Sequence, residues 1–345
     1  MSSKEDNLHI AAITGGKYVP SRRYRIAALV PYLASQGVKL SELCPRFSSF
    51  PPVSKLKRST WLAAALLERL EFIWLSKGFD ALILQREMIS TLATFERYLP
   101  EPLIFDVDDA IYLHRNGSAA EYIARSCSLV VCGNHYLAEK FSQWNSNVVV
   151  IPTGVDTDQL RPIINRDIIE TPIIGWIGTS GNYRYLELIE PALRKVLASF
   201  PNARLQIISD KFPTFLKHLG EQLDFRLWRP GIENDLLPRF SIGIMPLTDS
   251  EWARGKCAFK MLQYMAAGIP VVVSPVGINK DIIDHHDVGV AAMSESQWVE
   301  ALAMFLNTQK ARVSAGANGR LVVENKYSLN SVADQWRVTL LGLLG

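Results

Sequence analysis

The chain has 345 residues, 48% of them hydrophobic and 21% charged, and carries a formal net charge of +3. That length favours two domains over a single core. The composition is that of a globular protein, and the charge is too small for the dominant basic face of a nucleic-acid binder, so no nucleic acid is expected as a partner. Cys44, Cys127, Cys132 and Cys257 lack the paired spacing of a zinc site and read as reduced, mostly buried thiols. The stretch from Met1 to Asn7 is polar, unlike a signal peptide, and charge interrupts every apolar run short of the ~20 residues that a membrane span requires. A cytoplasmic location is the resulting expectation; separately, no cofactor is expected.

Short β-branched runs alternate with amphipathic stretches along the chain, the pattern of parallel α/β sheets. His9–Thr14 reads as a first strand, followed by a Gly15-Gly16 turn and a helix over Arg23–Gln36 that Gly37 stops. A second helix is expected over Thr60–Ser76, then strands at Ala81–Gln85, Leu103–Asp106 and Leu129–Cys132, a helix over Tyr136–Trp144 and a strand at Val148–Ile151. A second series begins with the strand Ile173–Ile177, a turn Gly178–Gly181 and a helix Tyr185–Phe200. Strands Arg204–Ser209 and Ile242–Met245, helix Phe259–Ala267 and strand Pro270–Ser274 follow. Asp156–Glu170 is polar, interrupted by Pro162 and without a period, so it reads as a linker. The organisation expected is 1–160, 161–327, and a terminal helix in 328–345.

The segment richest in chemical content is Gly255-Lys-Cys-Ala-Phe-Lys-Met-Leu-Gln-Tyr-Met-Ala-Ala-Gly-Ile-Pro-Val-Val272. A loop enters a helix, Gly268 caps its end, Pro270 follows and an apolar strand takes over. Lys256, Lys260 and Gln263 stand at i, i+4 and i+7, which predicts one shared helix face. Two cations beside unpaired helix N–H groups suit a pyrophosphate, and a merely solvated pair of lysines is the plainer alternative.

This segment resembles the nucleotide-sugar site of family 4 glycosyltransferases, which are retaining enzymes of the GT-B fold. Their motif has two glutamates eight residues apart, then Ala-Met-Ala, a glycine and Pro-Val-Val, and Met265 to Val272 is similar to its tail. Gly255 stands at the first glutamate, which in the family touches the donor sugar, and Gln263 at the second, which binds the ribose. Glutamine still offers hydrogen bonds to a diol. Glycine offers none, so the resemblance leaves Asp249 or Glu251 as substitutes for the sugar contact.

Three more segments extend the resemblance over nearly the whole chain. Val150-Ile-Pro-Thr-Gly-Val-Asp156 is similar to the family's Ile-Pro-Asn-Gly-Val-Asp at the end of the first domain, with Thr153 for asparagine. Ile174-Gly-Trp-Ile-Gly-Thr-Ser-Gly181 resembles the glycine turn that opens the second domain near the donor phosphates, with Arg184 after it. Gly15-Gly16 matches the N-terminal glycine turn. Arg22, Arg23 and Arg25 follow it, either a phosphate-side basic run or a charged helix face. The end of the chain, from Tyr327-Ser-Leu-Asn330 into a helix Ser331–Leu344, resembles the final helix that crosses back to the first domain.

Phe105-Asp-Val-Asp-Asp-Ala110 contains an Asp-x-Asp that in metal-dependent GT-A enzymes would hold a divalent cation. The two α/β halves argue against that fold, and the resemblance puts Asp108 where the family has a histidine contacting the donor sugar. His114, His135, His285 and His286 have no metal-site spacing; His135 is either an acceptor-side or a surface residue. Lys55, Lys57 and Arg58 precede a helix carrying Trp61, Leu62, Leu66, Leu70 and Trp74, which reads as a core helix with a solvated start or as a membrane-surface helix.

The resemblance implies two Rossmann-like α/β domains facing a cleft, and a metal-independent, retaining transfer of sugar from a nucleotide-sugar donor to a glycan or lipid-linked acceptor. It assigns Lys256, Lys260, Gly15, Gly16, Gly178 and Arg184 to the diphosphate, Gln263 to the ribose and Asp108 to the sugar. Peripheral contact with the inner face of a membrane goes with a lipid-linked acceptor. The rivals are an inverting GT-B transferase or epimerase, and a degenerate paralogue that binds a nucleotide-sugar without turnover. A Rossmann dehydrogenase is disfavoured because no Gly-x-Gly-x-x-Gly follows a strand.

Overall fold

The computed structural model describes residues 7–163 and 171–345; residues 1–6 of the polar start and 164–170 of the expected linker lie outside the described residues. The chain forms two compact units. One comprises the chain up to Gly154 together with Gly255–Cys257 and Leu329–Gly345, and the other comprises Val155–Arg254 and Ala258–Ser328.

The first unit is built on strands β1 (Leu8–Ile13), β2 (Val38–Leu43), β3 (Ala81–Gln85), β4 (Leu103–Val107), β5 (Leu129–Cys132) and β6 (Val148–Val150). They make one parallel sheet in the order β2-β1-β3-β4-β5-β6. β3, β4 and β5 are buried on both faces, as their uninterrupted apolar runs require. On one face, Ile10, Ala12, Ile83, Ile104 and Val131 pack with Leu29 and Leu33, and with Trp336 and Leu340 of the terminal helix Leu329–Leu344. The order reverses between β1 and β3, and in open α/β sheets that is where a crevice opens at the carboxyl ends of the strands. Gly15 and Gly16 stand at that point.

The second unit repeats the plan with β7 (Ile173–Ile177), β8 (Arg204–Ser209), β9 (Leu223–Leu227), β10 (Ile242–Met245), β11 (Val271–Val273) and β12 (Gly289–Ala291). The order is β12-β11-β10-β7-β8-β9, so the reversal lies between β7 and β10 and puts the Gly178 turn at the switch point. One face is filled by Trp176, Leu193, Ile207, Trp298 and Phe305, the other by Ile177, Phe240, Met261 and Tyr264. Among the described residues no helix is long and apolar enough to cross a membrane.

Two expectations differ from the structure here. The helix expected over Arg23–Gln36 is three short pieces, a π-helical turn Arg22–Ile26, a 3-10 turn Ala27–Leu29 and an α-helix Val30–Ser35. Pro31 is the reason: it has no N–H for a bond back into the preceding turn, so the α-helix starts beside it. The second helix, Arg58–Leu75, is not a core helix throughout. It buries Ala65, Arg69 and Phe72 but leaves Leu67, Leu70 and Trp74 on its outer face, with Trp74 73% exposed. Trp61 is tied down, its indole N–H donating to the Ser48 carbonyl at 3.1 Å.

Candidate functional site

In the second unit the chemistry gathers at the end of β7. Gly178 is required by close approach: a Cβ there would lie 2.7 Å from Lys260 Cε and 2.7 Å from the Trp176 ring. The stem of Lys260 therefore lies on the glycine turn, with its ammonium 5.4 Å from the Trp176 ring centre. The turn is held in place by Asp210, which accepts from the Ser180 amide at 2.6 Å and the Ser180 hydroxyl at 2.9 Å. Burial disfavours charge on Asp210, but those hydrogen bonds from Ser180 hold its carboxyl below the usual range. Tyr264 accepts from the Ile177 amide at 3.0 Å and so ties the helix Phe259–Ala266 to the end of β7. Gln263 is on the same helix and buried. Arg184 is exposed on the helix Tyr183–Ser199, its guanidinium 4.9 Å from the Tyr185 ring centre and bonded to the Tyr185 hydroxyl. The Met265–Val272 tail folds as its residues dictate, with Gly268 at φ +67° just past the helix end and β11 following.

Lys256 does not share that helix face. The helix begins at Phe259, Ala258 before it has left-handed backbone at φ +50°, and Lys256 belongs with the first unit. A left-handed residue ends any helical phase, so the i, i+4 relation to Lys260 carries no geometric meaning.

In the first unit, Gly255–Cys257 is packed against the end of β4. A side chain at Gly255 has no space: its Cβ would be 2.8 Å from the Ala110 methyl and 3.0 Å from the Ala110 nitrogen. The Asn134 amide clamps the segment by donating to the carbonyls of Gly255 and Lys256, both at 3.1 Å, while its oxygen caps the helix His135–Phe141 at the Leu137 amide. Cys257 donates to the Asp108 carbonyl at 3.2 Å, and burial pushes its thiol up to about 12. His135 itself is exposed.

The acidic run at the end of β4 is matched by arginines. Arg25 is buried and donates to both carboxylate oxygens of Asp106, at 3.1 and 3.0 Å from Nε, and to Thr153 Oγ1 at 3.1 Å. Burial opposes charge on Arg25, and Asp106 more than offsets it, leaving the guanidinium above its ordinary value. Arg86 has left-handed backbone at φ +57° and bridges Asp108 at 2.5 Å and Asp109 at 2.8 Å. Burial disfavours the Asp108 charge, but Arg86 prevails and holds that carboxyl below the usual range. Burial raises Asp109, and the neighbouring Asp108 charge adds to it against the pull of Arg86 and Lys256. Arg22 pairs with Glu42, so the basic run is not a solvated face. Gly15 and Gly16 form the turn after β1, where Gly16 at φ +128° lies against Ser48. Asp249, one substitute for a carboxylate at 255, is paired with Arg254 at 2.6 Å.

Arg86, Asn134 and Asp210 were not legible as site residues in the sequence. Arg86 acts through ion pairs with residues distant in sequence, Asp210 by holding Ser180 and Asn134 as a cap and clamp; only Asn134, after Gly133 at a helix start, carries a sequence signal for its part.

Residues 171–308 match the family model described as glycosyl transferases group 1. No curated protein matches the chain. Among solved structures, sucrose-phosphate synthase from Thermosynechococcus elongatus is 13% identical with a TM-score of 0.74, covering 98% of this chain and 99% of that one. HepE of Anabaena, in complex with UDP and glucose, is 13% identical with a TM-score of 0.69 over 97% of this chain and 100% of its own. WaaG, a glycosyltransferase involved in lipopolysaccharide biosynthesis, is 13% identical with a TM-score of 0.67 over 96% and 100%. The two six-stranded parallel sheets are those of GT-B glycosyltransferase structures, and residues 171–308 carry the signature of a glycosyl transferases group 1 domain.

Proposed function

We propose that the protein transfers a sugar from a nucleotide-diphosphate sugar to a glycan or lipid-linked acceptor, with retention and without a metal. The observation that carries this reading is the group 1 signature over residues 171–308, within which Lys260 lies against the Gly178 turn at the sheet's switch point. A switch-point glycine turn with a lysine held on it suits a diphosphate, because backbone N–H groups and a fixed cation stabilise charge on the leaving group without reorganising. Gly178, Lys260 and Arg184 take the diphosphate and Gln263 the ribose. In the first unit Gly15, Gly16 and Lys256 keep a diphosphate role and Asp108 the sugar role. Nucleotide release from UDP-glucose, the donor bound in a HepE structure, is the first test, followed by a thermal-shift screen of other nucleotide-sugars. Binding without release would favour the second reading, a nucleotide-sugar binder without turnover, which the absent side chain at Gly255 motivates.

Metal independence has its own test. Asp106 and Asp108 are already neutralised by Arg25 and Arg86, so activity should survive EDTA. Loss on chelation with recovery in manganese would return those carboxylates to a metal role.

Contact with a membrane surface rests on the helix Arg58–Leu75, whose outer face of Leu67, Leu70 and Trp74 is preceded by exposed Lys55, Lys57 and Arg58. Anionic vesicles should float the protein at low salt and release it at high salt, and Leu67→Glu with Trp74→Glu should abolish flotation. No flotation at low salt would leave the face a plain surface.

A further inference from the structure

A cavity of about 570 Å³ in the first unit lies where the loops after β1 and β2 meet. Its lining includes Gly16, Lys17, Tyr18, Cys44, Arg46 and Phe50. β1 and β2 are parallel neighbours, so both loops leave the same, carboxyl edge of the sheet. One bond joins the two loops, the Ser49 amide donating to Gly15 O at 2.8 Å; the first is closed on itself by the Val19 amide donating to Gly16 O at 3.0 Å, and the second is held to the segment after β3 by the Ser49 hydroxyl donating to Met88 O at 2.7 Å. The second loop is also fixed from behind, because Glu68 accepts from the amides of Arg46 and Phe47, at 2.7 and 3.2 Å, and Arg69 donates to the Phe47 carbonyl at 2.7 Å. The walls are therefore preformed.

Their chemistry is unbalanced. Lys17 and Arg46 are exposed, and neither makes an ion pair among the described residues. The nearby carboxylates are engaged elsewhere: Glu42 receives Arg22 and the Thr14 hydroxyl, and Glu68 receives the two amides and Arg69. Tyr18 stands 89% exposed with the Lys17 ammonium 5.7 Å from its ring centre, and Phe50 is exposed too. Two uncompensated cations match a dianion, the guanidinium fork fits phosphate oxygens in a pair, and exposed aromatic faces suit the apolar face of a sugar ring.

We propose that this cavity binds a sugar carrying a phosphate, and that this is the acceptor; the word acceptor rests on the transferase reading above, whereas the ligand class rests on the cavity alone. The phosphate sits between Lys17 and Arg46, and the ring lies on Tyr18 or Phe50. The phosphosugar could be free or part of a lipid headgroup, and the test separates the two.

Titration of the full chain with glucose 6-phosphate and with glucose supplies the soluble arm. Vesicles of phosphatidic acid in phosphatidylcholine, against phosphatidylcholine alone, supply the lipid arm. Glucose 6-phosphate should bind at least about tenfold more tightly than glucose, and Arg46→Gln or Lys17→Gln should each remove about a tenfold share, the scale of one hydrogen bond to a charged group. Binding confined to phosphatidic acid vesicles, which carry a phosphate and no sugar, keeps the phosphate contact at Arg46 but overturns the sugar. Equal binding of glucose and glucose 6-phosphate with no vesicle binding, or phosphate binding unmoved by both variants, overturns the proposal. UDP binding is measured alongside. A chain that binds glucose 6-phosphate through Arg46 but neither binds UDP nor releases it from UDP-glucose loses the transferase reading and keeps the cavity. A chain that turns over UDP-glucose yet ignores the phosphate loses the cavity and keeps the transferase.

Discussion

Asp106→Ala should lower the stability of the first unit by about 3–5 kcal/mol, the cost of stranding one partner of a buried ion pair. Arg25 is 2% exposed and Asp106 fully buried. The guanidinium also donates to the Ile151 carbonyl and to Thr153, so it cannot turn out to water without breaking those bonds as well. Replacing both members by apolar residues of similar volume, Arg25→Met with Asp106→Leu, should cost much less than Asp106→Ala alone, because no charge is left unpaired. Urea midpoints of the single and double variants make the comparison. If Asp106→Ala unfolds within about 1 kcal/mol of the wild type, at the level of an ordinary exposed ion pair, the pair is not holding the unit together. A manganese-dependent gain in stability that vanishes in Asp106→Ala would instead mark a cation ligand.

Lys260→Ala is the second variant with a large expected effect. Loss of the ammonium beside Gly178 should weaken UDP binding by ~1.5–3 kcal/mol, the range for a hydrogen bond to a charged group. The rate of sugar release should fall further than affinity, since charge on the leaving diphosphate is greatest in the transition state. The stem of Lys260 fills the space over Trp176, so Lys260→Met separates packing from charge: it keeps the contact and should lose binding nearly as much as alanine. Lys256→Ala should act in the same direction but less strongly. Lys195, exposed and paired with Glu295, is the control and should change little. UDP binding and turnover at wild-type levels in Lys260→Ala would remove the diphosphate assignment.

Much of the fold is written in apolar runs. Ala81–Gln85, Leu129–Cys132, Ile173–Ile177, Arg204–Ser209 and Ile242–Met245 are read from sequence with the bounds the structure shows, because interior strands of a parallel sheet are rich in Leu, Ile and Val. β2 and β9 escape for the opposite reason. Val38–Leu43 contains Lys39, Ser41 and Glu42, and Leu223–Leu227 contains Asp224 and Arg226, since both lie at sheet edges with one face near water. The helix Gln309–Lys326 is hidden by Gly316 and Gly319, which read as breakers. They are there for contact: a Cβ on Gly316 would meet the Gly268 carbonyl at 2.1 Å, and one on Gly319 would meet Met265 at 3.1 Å. The site is legible where motif and backbone coincide, as at Gly178 and Gly268. It is illegible where a single left-handed residue decides the outcome, as at Ala258 and Arg86, because nothing in an alanine or an arginine announces a positive φ.

Gly255 closes a route in sequence space. An engineer wishing to restore the paired-glutamate motif would vary residue 255 first, and a library diversified there alone should return glycine. Shrinking Ala110 removes the 2.8 Å contact with its methyl but leaves its main-chain nitrogen 3.0 Å from the missing Cβ, so the backbone must still give by a few tenths of an ångström. Gly133 is crowded differently, by a side chain, with Cys257 Sγ 2.3 Å from where a Cβ would be. Reinstating a carboxylate at 255 therefore takes a local backbone shift beside Ala110 as well as the substitution itself.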